Sequence, residues 1–177
     1  MIKDLKKDNF NIKTIIAIIL FIMVICGIFG FIHETIYFLI KYHKFYKRGS
    51  TIGPWIPIYS FGAIINLFLL FKIKNSKFLI FILSSLLSGI LEFITGFILD
   101  KYFNKKLWTY KNEFFNIKGY TCLKAIIFFG AATLILFYIL YPYVKKIFSK
   151  NNKVLLIITY LVSILFFIDI ILSVFIL

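Results

Sequence analysis

Long apolar stretches separated by short clusters of lysine dominate the 177-residue chain, and this alternation allows few folds. A helix needs about 20 apolar residues to cross the hydrocarbon of a bilayer, and stretches of that order recur at about residues 14–40, 54–71, 78–99, 121–141 and 154–177. Charged residues make up 16% of the chain, against about 25% in soluble domains. A water-soluble globular domain is thereby excluded. Backbone exposed to lipid must satisfy its own hydrogen bonds, so the spans should be helical. The predicted fold class is all-α: a polytopic transmembrane bundle of five helices forming a single integral domain over residues 1–177, in the cell (cytoplasmic) membrane. The basic start imitates a signal peptide, but the apolar run behind it reaches about Ile40 without a small-x-small cleavage site, so it reads as a retained span.

The net charge of +14 does not point to nucleic acid, because the lysines flank apolar runs instead of lining one face of a domain. Anionic lipid headgroups are the expected counter-charge. Cys26 and Cys122 lie in apolar segments without a CxxC pattern and read as packing residues. With five spans, eleven Lys and Arg fall on the side of the N-terminus and nine on the other. That margin places the N-terminus only weakly in the cytoplasm.

Glu34, Glu92 and Asp169 interrupt apolar spans, where an ionised side chain costs about 2.5–3.5 kcal/mol near the bilayer centre. Gly27, Gly30 and Glu34 share one helical face; so do Ser85, Gly89, Glu92 and Gly96, and likewise Tyr59, Gly62 and Asn66. Small residues mark close helix approach in membranes, so both glutamates are expected to point away from lipid. They lie at similar depth, with Arg48 and Lys124 as the cations placed to meet them. Glu34, Arg48, Glu92, Lys124 and Asn66 are therefore the pocket or ion-pair candidates. Two readings stay open: a buried network that fixes packing, and a substrate or proton site. The role of Asp169 cannot be read from its neighbours. His33 stands beside Glu34, but two histidines in the chain give no metal cluster, and no cofactor is expected.

Two loops on the same predicted side are dense in conformationally special residues. Arg48-Gly49, Gly53-Pro54 and Pro57-Ile58-Tyr59 precede the second span, and residues before proline are pushed out of the helical region. This segment should be extended backbone at membrane depth, covered by protein or lining a cavity. The second loop carries Asp100, Trp108, Tyr110, Phe115, Asn116 and Gly119.

These residues, with Glu34, Leu91-Glu92, Gly96 and Cys122-Leu123, resemble the small bacterial membrane proteins labelled putative ABC-transporter permeases, type IV. The resemblance covers about residues 27–130, leaving the fifth span and Asp169 outside. Ser60, Ile56, Thr109 and Tyr120 depart from the family's usual residues, and if the arginine common at position 120 pairs with a family glutamate, Lys124, one turn on, would have to replace it here. The resemblance implies a transport-related membrane subunit. The chain has no GxxxxGK[ST] pattern, so an ATPase would be a separate subunit. With no nucleophile, P-loop or metal motif, no catalytic residue is assigned. The alternatives are a membrane-embedded enzyme acting on lipid or a small metabolite, and an accessory or scaffold membrane protein.

Overall fold

The computed structural model describes residues 1–150 and 152–176, and the expected end of the last span at Leu177 lies outside them. The helices are α1 (Ile2–Lys7), α2 (Ile12–Tyr42), α3 (Pro57–Leu70), α4 (Lys77–Phe103), α5 (Leu123–Ile135), α6 (Tyr141–Phe148) and α7 (Lys153–Ile176). Local chemistry sets several boundaries. Asn11 Oδ1 accepts from Thr14 N (2.8 Å), Ser76 Oγ from Leu79 N (3.3 Å) and Asn152 Oδ1 from Val154 N (3.0 Å), each capping an otherwise open first turn. His43 and Asn104, at φ 53° and 51°, close α2 and α4 in the left-handed region.

Among the described residues, four helices are long and apolar enough to cross a membrane: Ile12–Tyr42, Lys77–Phe103, Leu123–Phe148 and Lys153–Ser173. The chain is an all-α membrane protein. The expected span at 54–71 is shorter than anticipated, because residues 54–56 are not helical and the helix starts at Pro57. With the 3₁₀ turn Phe71–Ile73 that extends it, this helix measures about 27 Å, against about 30 Å of hydrocarbon.

Two further boundaries correct the sequence expectation. The fourth span does not start at Thr121: Thr121–Cys122 pairs antiparallel with Asn116–Ile117 as a small hairpin, and the helix begins at Leu123. Nor does it stop before Pro142. A π turn at Leu136–Leu140 precedes the proline, with Tyr141 N–H reaching back to Leu136 O. Pro142 therefore stands inside one continuous helix, Leu123–Phe148, with the π turn just ahead of it accommodating the residue that lacks an N–H.

The chain divides into two compact units, one built from Ile65–Pro142 and the other from Ile2–Ile64 with the chain from Tyr143 onward. In the first, α4 packs antiparallel against α5. A Cβ at Gly89 would lie 2.8 Å from Ile126 Cγ1, and one at Gly130 would collide with Ser85 Oγ. In the second, α2 and α7 run parallel: Tyr160 OH donates to Lys13 O (2.8 Å), and further along Phe166 packs with Met23 and Val24.

Candidate functional site

In the unit built on α2 and α7, the segment between α2 and α3 does not stay at the end of α2. Residues 43–56 form neither helix nor strand, and Ile56 N donates to Gly27 O at 3.0 Å. Gly27 is the sixteenth of the 31 residues of α2, so the chain descends about 22 Å along the helix before α3 begins.

Carboxylates hold the descent at two levels. Near the end of α2, Arg48 Nε donates to Glu34 Oε2 at 3.1 Å, and its guanidinium stacks 3.9 Å from the Phe38 ring centroid. Tyr59 OH bonds both Glu34 and His33, the latter at 3.2 Å. Deeper, Asp169 on α7 accepts from Ile52 N (2.9 Å), Gly53 N (2.7 Å) and Trp55 Nε1 (2.7 Å). Ser173 Oγ adds a longer bond to Asp169 Oδ1 (3.3 Å). Thr51 Oγ1 closes the turn by donating to Trp55 O (2.5 Å). The Gly27 and Gly30 face of α2 makes room for this. A Cβ at Gly27 would lie 2.5 Å from Ser60 Oγ and 3.1 Å from Trp55 Cβ, while one at Gly30 would fall into the Tyr59 ring. Gly49, at φ 84°, supplies a left-handed turn that a side chain rarely permits.

The unit built on α4 and α5 repeats the device with other residues. Glu92, 4% exposed, accepts from Tyr110 OH (2.8 Å) and Thr121 Oγ1 (2.6 Å). Glu92 lies eleven residues before the end of α4 at Phe103, so the 104–120 loop folds back along the helix. Trp108 and Tyr120 pack on Gly96, and Trp108 Nε1 donates to Tyr120 O (2.8 Å). Tyr120 OH donates to Asp100 (2.7 Å), which also pairs with Lys106 (3.2 Å). Asn116 braces the hairpin tip, its amide donating to Lys111 O and Glu113 O and its Oδ1 accepting from Gly119 N, each at 3.1 Å. Phe115 sits there with φ 52°. Asn66 donates to Ser88 Oγ (3.1 Å), and Lys124 lies exposed in the first turn of α5.

Arg48 is joined to Glu34, whereas two hydroxyl donors meet Glu92. Asp169, which the sequence marks only as an acid in an apolar span, finds its donors in residues 52–55. Among the described residues, no group of three or more His, Cys, Asp or Glu could hold a metal ion. We expect Glu92→Ala to lower the melting temperature well below that of Glu92→Gln. Alanine strands two hydroxyls at about 1–3 kcal/mol each, whereas the amide oxygen still accepts one and hydroxyls can turn to accept from its nitrogen. Equal melting of the two variants would contradict the assignment.

The profile of a protein family described as "Putative ABC-transporter type IV" matches residues 5–174. This match is longer than the motif-bearing stretch at 27–130, and it takes in the fifth apolar segment and Asp169. No curated protein and no solved structure matches the chain.

Proposed function

The chain belongs to the Putative ABC-transporter type IV family, and we propose that it is a membrane-spanning, permease-like subunit of a transporter whose ATPase is a separate chain. The carrying observation is the descending segment at 51–56, whose backbone donors are met by a carboxylate on another helix. Irregular backbone at membrane depth is sustained where protein covers it or where it lines a cavity, and transporters use such breaks for binding polar solutes. In this reading Glu34, Arg48, Asp169 and Tyr59 form the polar centre around that segment. The aromatic loop at 104–120, anchored on Glu92, forms a second polar element. Purification in mild detergent tests the proposal: an ATPase subunit should co-purify in fixed ratio. Its absence, together with ATP-independent behaviour in vesicles, would favour an accessory or enzymatic role instead.

The same reading takes the chain as one integral domain with five crossings, α3 included. The support is directional. The parallel course of α2 and α7 supports an odd number of bilayer crossings between them. α4 and the α5–α6 helix supply two crossings, and Pro57–Ile73 makes the third. Cysteines introduced at Ser50 and Asn112 should then react with an impermeant maleimide from the same side. Labelling from opposite sides would remove the fifth crossing.

A further inference from the structure

At the end where α2 begins, the unit containing α2 and α7 carries the short helix α1. Asn9, between α1 and α2, adopts the left-handed φ of 60°. Leu5 is fully buried, and Lys145 Nζ lies 2.6 Å from Asp8 Oδ2 and 3.8 Å from Asp4 Oδ2. These contacts fasten α1 beside the last turn of α6. That turn is itself fixed against α2, with Phe148 packing edge-on against Phe21 at 5.6 Å between centroids. Phe21 lies nine residues beyond Ile12, about 13 Å along the helix. α1 is thus held against α6 near the end where α2 begins.

This folding sorts the charges. The chain has seven acids; at this end only Asp4 and Asp8 occur, and both turn to Lys145. Lys3, Lys6, Lys7, Lys13, Lys146 and Lys150 are exposed around them. We propose that this basic collar is a binding surface for anionic phospholipid headgroups. It surrounds the ends of helices long enough to cross a bilayer, where lipid phosphate is the abundant counter-charge and each nearby lysine adds attraction. Lysine stems can lie along the apolar surface while their ammonium groups reach the phosphates.

The full chain in detergent micelles, titrated with phosphatidylglycerol or phosphatidylcholine and read by native mass spectrometry, tests the surface independently of any transport role. Phosphatidylglycerol should be retained in preference. A Lys3→Gln, Lys6→Gln, Lys146→Gln triple variant should lose roughly a hundredfold of that preference, while removal of the same charge at Lys44, Lys101 and Lys118 should leave it. Melting curves identify either triple that has lost its fold; each lysine of such a triple is then replaced singly, and the same contrast is expected between the two sets. Equal retention of the two lipids, equal loss from both sets, or complete displacement by inorganic phosphate would overturn the proposal, the last by marking a general anion surface.

Discussion

Replacing Asp169 with alanine should cost the protein most of its folded yield and lower its melting temperature in detergent by about 10 °C or more. Three donors converge on this carboxylate from residues 52–55, and the substitution leaves all three without it. Each orphaned donor costs about 1–3 kcal/mol, and hydrocarbon offers no water as a substitute partner. Asp169→Asn should be intermediate, since the amide retains an acceptor oxygen but turns two hydrogens toward groups that are themselves donors. A thermal melt of Asp169→Ala within about 2 °C of the unmodified protein would mean that the segment does not depend on α7.

A comparably large loss is expected from Gly30→Val. The three atoms nearest a Cβ at this position all belong to Tyr59, and Tyr59 Cβ, at 2.9 Å, cannot swing aside as the end of a flexible side chain could. Relief requires α2 and the first turn of α3 to separate, which breaks the bonds of Tyr59 to Glu34 and His33. Overpacking alone costs about 1–3 kcal/mol. Gly62→Ala is the matched control, because a Cβ there meets no atom within 4 Å and alanine is the better helix former by about 1 kcal/mol. Melting temperatures should fall sharply for the first and hold or rise for the second. Equal effects would show that the small-residue face of α2 is not a contact.

Features with a local cause were legible in the sequence. The apolar runs and their lysine boundaries located α2, α4 and α7 to within a few residues, because burial in lipid leaves the backbone little alternative to helix. The glycines of α2 and α4 and the prolines at 54 and 57 signalled close approach and extended chain for steric reasons that act within one turn. Partnerships across long sequence distances left no such mark. Asp169 reaches Ile52 and Gly53 across more than 100 residues, and periodicity records only that an acid lies on one face. The hydroxyls of Tyr110 and Thr121 could not be assigned to Glu92 without knowing that the loop turns back. The return of α1 onto Lys145 was equally hidden. Pro142 misled in the opposite direction, since proline signals a helix end and the π turn that accommodates it leaves no sequence mark here.

Residues 51–56 lead down to the middle of α2, where Ile56 N meets Gly27 O, and tryptophan fluorescence reports that depth directly. The chain has two tryptophans, so Trp108→Phe leaves Trp55 as the only one. In vesicles containing lipids brominated at graded positions along the acyl chain, Trp55 should emit at short wavelength and be quenched most by the deepest bromines. Strongest quenching by bromines nearest the headgroups would place Trp55 in an interfacial belt and contradict the descending segment.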